Sequence, residues 1–151
     1  MRTNYKKLEK GDLQLLIQLA ELYSDVFELK NFSLPASTHL EKLLSDSKII
    51  FFIAQQGDEV VGGLTAFILP SVYCEGGEVY IYDLAVKSNY RRKGVGTQLI
   101  SSLKDYCMNL PVPEIFVQAD LPDKHALEFY RSTGGVAEEV IHFTYSIKKD
   151  H

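Results

Sequence analysis

The stretch "YDLAVKSNYRRKGVGTQLI", residues 82–100, decides the fold because it joins a predicted strand to a predicted helix through a cationic turn. The hydrophobic run at residues 78–86 has the composition of a β-strand, and an amphipathic helix follows it. Between them, the three cations of residues 91–93 precede Gly94 and Gly96. A helix N-terminus carries about half a positive elementary charge and disfavours cations. Three cations at this position therefore indicate that an anion binds there.

The two glycines favour a phosphate as that anion. Glycine lets a ligand touch the backbone, and the first turn of a helix offers unpaired N–H groups. The Walker pattern is absent because Lys93 precedes the glycines, and the dinucleotide pattern fails because Leu99 occupies its third glycine position. The turn is therefore predicted to hold a phosphate or pyrophosphate outside those two classes, with a solvated basic turn as the alternative.

Composition narrows the class of protein. The 151 residues, 46% of them hydrophobic, suit one globular domain over residues 1–151. A net charge of -4 argues against a nucleic-acid partner and suits a small cationic substrate. Cys74 and Cys107 indicate neither a disulfide framework nor a zinc site, and the apolar run at residues 49–54 is too short for a membrane span. We expect a cytoplasmic protein without membrane or metal.

The periodicity along the chain predicts the order strand, two helices, three strands, helix, strand, helix and strand. This order defines a mixed α/β protein. Gly62 and Gly63, within a strand, indicate a bulge or a close backbone approach, and residues 136–147 form the last predicted strand. The predicted helix caps are Asp12, Thr38 with Glu41 as a capping box, and Asp123.

The pattern R-x-x-G-x-G, Arg91 to Gly96, resembles the acetyl-CoA pyrophosphate signature of the GNAT N-acetyltransferases, and the order of elements is similar across almost the whole chain. The resemblance implies a mostly antiparallel mixed sheet, splayed into a V-shaped cleft, with about four helices. It also implies acetyl-CoA as cosubstrate and a bulge near Leu84, where the strand backbone pairs with the pantetheine arm. The implied cofactor-binding residues are Leu84, Ala85, Val86, Arg91, Arg92, Lys93, Gly94, Val95, Gly96 and Thr97.

A closer resemblance rests on "VVGGLTAFILP", "EVYIYDLAV", "VQAD" and "EEVIHF", which together cover most of residues 60–143. These segments are similar in order and content to the gentamicin-type aminoglycoside 3-N-acetyltransferases. That similarity implies a polycationic acceptor, acetylation of its 3-amino group and a role in antibiotic resistance. The N-terminal third and the "LPDKHALEFY" loop depart from the pattern, so the choice of aminoglycoside is less well supported than acetyl transfer.

The resemblance also implies the catalytic roles. An acceptor amine is mostly protonated near neutral pH, and Asp83 matches the general base that removes its proton, directly or through one water. Partial burial would raise the pKa of such a carboxyl and improve it as a base. Tyr130 matches the phenol that protonates the departing thiolate. The alternatives are a structural Asp83 that caps backbone groups or pairs with a cation, and a Tyr130 that belongs to the core.

Acidic residues around the acceptor would balance its positive charge. Strand alternation sends Glu138 and Glu139 to opposite faces, so only one of them should face the cleft. His142 could orient the substrate or assist the base, and without a second histidine at ligand spacing it predicts no metal. The candidate substrate residues are Glu78, Asp120, Glu138, Glu139 and His142.

Two other functions stay open at this point. The same enzyme could acetylate a polyamine, a small amine metabolite or a protein N-terminus, or the domain could bind acetyl-CoA as a regulatory module without turnover. No cysteine or serine lies beside a candidate base, which favours direct transfer over a covalent acyl-enzyme. A homodimer formed through the final strand is possible.

Overall fold

The computed structural model describes residues 2–148, which form two compact units, one up to Gln118 and one from Ala119. No helix in that span is long and apolar enough to cross a membrane. The elements of the first unit are β1 (Asn4–Lys7), α1 (Leu13–Val26), α2 (Ser37–Ser45), β2 (Ile49–Gln56), β3 (Glu59–Leu69), β4 (Glu78–Val86), α3 (Val95–Cys107) and β5 (Ile115–Val117). The second unit contains α4 (Lys124–Ser132).

The strands form one open sheet in the order β1-β2-β3-β4-β5, antiparallel except for the parallel pair β4 and β5. The predicted mixed, mostly antiparallel sheet with four helices is confirmed. Strand β5 pairs only with Val79–Ile81. Beyond Ile81, β4 has no strand neighbour on that side among the described residues, so the sheet opens there.

An extra residue in β4 changes which face its side chains point to. Asp83 lies opposite Thr65, but the next pair joins Ile81 to Ala66, so Tyr82 is the bulged residue. Strand side chains alternate between faces, and one inserted residue reverses the alternation beyond it. The bulge therefore places Asp83 on the same face as Thr65. The bulged residue, Tyr82, lies two residues before Leu84, close to the position that the sequence predicts for the bulge.

Strand β3 is covered by helices on both faces. A Cβ at Gly63 would collide with Leu19 of α1, and a Cβ at Gly62 would lie 3.1 Å from Val95 of α3. Adjacent strand residues point to opposite faces, so α1 packs on one face and α3 on the other. The register with β2 also shifts beside Gly62, leaving Val61 as an extra residue. The predicted bulge and close backbone approach are both confirmed.

Helix α1 begins after Asp12, as predicted, but the Asp12 carboxylate does not cap the helix. It accepts hydrogen bonds from the Glu9 N–H at 2.8 Å and the Lys6 ammonium at 3.0 Å instead. The Asp12 carboxylate therefore stabilises the turn between β1 and α1 rather than the first turn of the helix.

The predicted capping box of α2 is wrong. The helix begins at Ser37, one residue before Thr38, and no side chain caps its N-terminal N–H groups. Thr38 is thus inside the helix, where it cannot hold the N-cap position that a capping box requires. The helix itself, with Leu40 buried against α1, is present as predicted.

The cap predicted for α4 is confirmed. The Asp123 carboxylate accepts a hydrogen bond from the Ala126 N–H at 3.1 Å. After Ser132, Gly134 takes a left-handed conformation with φ of 98° and ends the helix, as glycine commonly does.

The final strand predicted at residues 136–147 is wrong. Residues 136–148 form neither helix nor strand, and most of their apolar side chains are exposed. A period of two shows which side chains share a face, but a strand also needs a neighbouring strand for its backbone groups. The described part of the chain contains no sixth strand. The homodimer predicted through this segment stays a prediction.

Candidate active site

A cavity of about 230 Å³ lies in the first unit, between α1, α2 and the strands β2 to β4. Its wall is largely apolar, with Leu16, Leu40, Phe51 and Phe67 among the lining residues. The wall includes one carboxyl group, that of Asp83. The predicted general base therefore lies in a pocket rather than in a salt bridge or a helix cap.

The surroundings of Asp83 oppose its ionisation. Burial raises the pKa of the Asp83 carboxyl, and the Thr65 hydroxyl, opposite it on β3, lowers this pKa in part. The raised pKa expected for a partly buried carboxylate is found. A carboxylate of raised basicity is better suited to accept a proton from an ammonium group.

Two residues beside Asp83 are absent from the sequence predictions. Thr65 lies opposite Asp83, and its hydroxyl is 2.9 Å from the phenol oxygen of Tyr23 on α1. The helical period of α1 marks Tyr23 as core, and only the strand register shows that Thr65 faces the aspartate. The one available signal was a threonine inside the apolar run "GGLTAFIL".

The predicted anion site lies where α3 begins. Gly94 is the N-cap, with φ of 81° and open space where a Cβ would be. The first turn of α3 contains no acidic residue, and no side chain caps its N–H groups. Arg92 is also left-handed, at φ of 60°, a conformation that non-glycine residues seldom adopt. The N–H groups of the first turn of α3 therefore have no side-chain acceptor.

The three cations of the turn are exposed. Within residues 2–148 the salt bridges join Lys6 to Asp12 and Lys87 to Glu59, and neither involves residues 91–93. The Lys93 ammonium lies 5.8 Å from the centre of the Tyr90 ring. Exposed cations beside an uncapped helix N-terminus fit a pyrophosphate group.

The predicted cofactor strand is the last part of β4. Leu84, Ala85 and Val86 pair with β3 on one side, and no described strand lies on their other side. The Arg91 guanidinium donates to the Val86 carbonyl at 3.2 Å. The cationic turn and the open edge of β4 are therefore directly linked.

The second unit contains the other predicted catalytic residue, Tyr130. It is half-buried on α4, and its ring contacts Phe129 edge to face at 5.1 Å between centres. Burial raises the pKa of the Tyr130 phenol, and the nearby Asp123 carboxylate raises it further. The phenol therefore keeps its proton at neutral pH.

The predicted substrate residues are divided between the two units. Glu78 is half-buried at the start of β4, in the first unit. The other four are exposed residues of the second unit: Asp120, Glu138, Glu139 and His142. The alternation argument that separated Glu138 from Glu139 is wrong, because these residues form no strand and both are exposed. Residues 2–148 contain no cluster of three potential metal ligands.

A mixed sheet that opens beside a cationic helix N-terminus is the architecture of an acyl-CoA-dependent acetyltransferase of the GNAT type. The family model described as the acetyltransferase (GNAT) family matches residues 16–134, and the chain belongs to that family. The acetyltransferase class predicted from residues 91–96 is thereby confirmed. GNAT enzymes use acetyl-CoA as the acetyl donor.

Solved structures of similar chains include two from uncultured soil metagenomic samples. The aminoglycoside acetyltransferase meta-AAC0020, in complex with sisomicin, is 43% identical over 97% of both chains, with a TM-score of 0.93. The aminoglycoside acetyltransferase HMB0005 is 33% identical, with a TM-score of 0.92 over 98% of this chain and 100% of the other.

A curated relative belongs to a different acetyltransferase group. N-alpha-acetyltransferase 30 of Xenopus laevis is 31% identical over 90 residues. The match covers 58% of this chain, which spans 32% of that relative's length.

Proposed function

We propose that this protein is an acetyl-CoA-dependent N-acetyltransferase that acetylates an amino group of aminoglycoside antibiotics, with the 3-amino group as target. The observation that carries the proposal is the 43% identity with the sisomicin-bound aminoglycoside acetyltransferase over 97% of both chains. The regiochemistry rests on the resemblance of "EVYIYDLAV" and "EEVIHF" to the gentamicin-type enzymes.

Asp83 is the proposed general base. An aminoglycoside amine near neutral pH is mostly an ammonium, which has no lone pair with which to attack a carbonyl. Asp83 accepts one proton from that ammonium, and its raised pKa makes this transfer easier. The freed amine then forms the new C–N bond without a covalent intermediate on the protein.

Residues 91–97 are proposed to hold the pyrophosphate, and the backbone of residues 84–86 to pair with the pantetheine arm as an added strand would. Acetyl-CoA supplies an acetyl thioester, whose C–S bond breaks in the reaction. Tyr130 donates its phenolic proton to the departing sulfur, a role supported by a pKa that keeps it protonated. The nitrogen loses its second proton to solvent as the amide forms, and a proton from solvent restores the phenol.

The acidic residues are proposed to attract the polycationic acceptor. Glu78 lies on the same strand as Asp83, and the chain as a whole carries a net charge of -4. Asp120, Glu138, Glu139 and His142, all exposed, stay proposed substrate residues. A field of this sign raises the local concentration of a cation and its association rate.

A protein N-terminus is the second candidate acceptor. The similarity to N-alpha-acetyltransferase 30 supports it, and so does the largely apolar wall beside Asp83, which suits an apolar side chain. The α-ammonium group at a peptide N-terminus would be deprotonated by Asp83 in the same way.

Thiol release from acetyl-CoA tests these proposals with four acceptors: gentamicin, a gentamicin blocked at its 3-amino group, spermidine, and a peptide with a free N-terminus. We expect turnover with gentamicin alone, and NMR of the product to place the acetyl group on the 3-amino nitrogen. No rate above hydrolysis with gentamicin would overturn the aminoglycoside proposal. Turnover of the peptide alone would support the second candidate, and cofactor binding without turnover of any amine would indicate a regulatory module.

A further inference from the structure

We infer that Tyr23 and Thr65 form a hydrogen-bonded chain that orients the Asp83 carboxylate as a proton acceptor, which makes both of them positioning residues for the reaction. The inference rests on the proposed function, since it assigns helpers to the proposed base. It involves residues of α1, β3 and β4, all within the first unit.

Thr65 is the central member of the chain. It is the one polar side chain among the buried residues of the described structure, with 5% of its surface exposed. Burying a hydroxyl without a partner is costly, so buried hydroxyls are almost always hydrogen-bonded. The Thr65 hydroxyl lies 2.9 Å from the Tyr23 phenol oxygen, and Asp83 is its direct neighbour across the β3–β4 pair, where the Thr65 hydroxyl lowers the pKa of the Asp83 carboxyl.

The chemistry of the three groups fixes the direction of the hydrogen bonds. An ionised carboxylate only accepts, so Thr65 donates its single proton to Asp83. The Thr65 oxygen must then accept from Tyr23. Burial raises the pKa of Tyr23 well above its ordinary value, so the phenol retains the proton that this requires. Protons therefore point from Tyr23 to Thr65 and from Thr65 to Asp83.

This arrangement places Asp83 for its proposed task. A carboxylate has two oxygens, and the bond from Thr65 engages one of them, leaving the other to accept a proton from the amine. The chain also stabilises the ionised carboxylate against its apolar surroundings, because linked hydrogen bonds polarise one another. Asp83 thereby remains ionised at a lower pH than burial alone would permit.

Among the residues that line the cavity, Tyr23 and Thr65 are the ones placed to orient the Asp83 carboxylate. Helix α2 and strand β2 contribute only apolar side chains to the lining, from Leu40, Leu43, Ile49 and Phe51. Besides Asp83, the titratable side chains of the lining are Tyr23 on α1 and Tyr82 on β4. Tyr82 is the bulged residue and is 61% exposed, so it is open to solvent.

The test compares Thr65→Val, Thr65→Ser and Tyr23→Phe in the full-length protein. Tyr106→Phe is the matched control, a half-buried tyrosine on α3 that packs on Phe52 and not on this cavity. The first readout is the titration of the Asp83 carboxyl carbon by NMR without substrate, assigned with Asp83→Asn. The second is the pH dependence of kcat.

Removing a hydrogen bond to the carboxylate raises the pH at which Asp83 loses its proton. We expect Thr65→Val to move the Asp83 titration and the acid limb of kcat upward by about one pH unit, as for a lost hydrogen bond to a charged group. Thr65→Ser restores both values. Tyr23→Phe, which keeps the ring that stacks on Phe27, moves them in the same direction by less, and Tyr106→Phe leaves them unchanged.

An Asp83 titration that is identical in the wild type, Thr65→Val and Tyr23→Phe would overturn the inference. Because that readout needs no turnover, it separates this failure from a failure of the proposed function. If Asp83 is not the base, Asp83→Asn retains the wild-type rate while the titration shifts persist. If Thr65→Val does not fold, Tyr23→Phe and Thr65→Ser decide the outcome by the same two readouts.

Discussion

Thr65 and Asp83 lie directly opposite each other on β3 and β4, and the register of the two strands shifts at the very next pair. The extra residue, Tyr82, is what brings Asp83 to the face that α1 covers. Without it, the carboxyl would point toward α3 and away from the cavity. A single inserted residue thus places the proposed base in the cavity, partly buried and opposite Thr65.

Replacing the proposed base should remove most of the activity. We expect Asp83→Asn to lower kcat by about 10² to 10⁴-fold, the range usually attributed to general base catalysis. Acetyl-CoA affinity, measured by calorimetry, should be unchanged because the proposed anion site lies at the start of α3. Asp58→Asn, at an exposed turn position, is the control and should keep the wild-type rate. A normal rate in Asp83→Asn would exclude Asp83 as the base.

The same substitution should stabilise the protein at neutral pH. The folded-state pKa of Asp83 is raised above the ordinary aspartate value of 3.8, so its contribution to stability is fully present below that pH and is lost as the pH rises through the folded pKa. Asparagine does not ionise and avoids this loss. Because Asp83 is only partly buried, water screens much of the cost, and we expect a gain of about 1 kcal/mol, or roughly 4 °C.

Thermal unfolding at pH 7 and pH 3 measures this difference. The stabilisation by Asp83→Asn should be present at pH 7 and absent at pH 3, where the aspartate is protonated. An equal effect at both values would show that the burial of charge is not its cause.

Tyr130 should contribute less to the rate than Asp83. Tyr130→Phe retains the ring that contacts Phe129 but removes the proton donor, so we expect kcat to fall by about tenfold, below the usual range for acid-base groups. Affinity for the acceptor should not change. Tyr73→Phe, at an exposed tyrosine, is the control. Unchanged kinetics in Tyr130→Phe would assign the residue to packing alone.

Charge reversal in the cationic turn should weaken cofactor binding. We expect Lys93→Glu to raise the Kd for CoA by about tenfold, equivalent to roughly 1.4 kcal/mol. Added salt should shrink the difference, because ions screen exposed charges. Lys10→Glu alters the net charge equally at another exposed site and is the control. Equal losses in both variants would indicate a general field effect rather than a local site.

The backbone of the same turn can be tested apart from its charge. Gly94 and Gly11 both have positive φ, at 81° and 101°, and neither would place a Cβ against another atom. Alanine at either position should therefore cost about 1 to 2 kcal/mol of folding free energy through backbone strain. Only Gly94→Ala should also weaken CoA binding, as measured by calorimetry. Equal CoA affinity in the two variants would contradict the anion site.

Local patterns in the sequence predicted most of the fold. Helical and strand periods depend on neighbouring residues, so the four helices and β1 to β5 were predictable. The capping box at Thr38 failed because a spacing of three residues cannot show which residue begins the helix. The strand at residues 136–147 failed because pairing depends on a distant partner that alternation does not reveal.

The candidate site was predictable to the extent that it follows motifs. Gly94 and the cations beside it form a contiguous pattern that predicts an anion site, and the family resemblance predicts Asp83 as the general base. Tyr23 and Thr65 could not be predicted because their relation to Asp83 depends on the register shift at Tyr82 and on how α1 packs. Both are set by contacts between residues far apart in the sequence.

Gly62 and Gly63 keep the two halves of the proposed site independent. The missing side chain at Gly63 leaves room for Leu19 of α1, and Tyr23 lies one turn further along that helix. The missing side chain at Gly62 leaves room for Val95 at the start of α3. Because these contacts lie on opposite faces of one strand, substitutions on α1 can reshape the cavity without moving the proposed anion-binding turn. In the proposed enzyme, the acceptor range can diversify by mutation in this way while the donor site keeps its form.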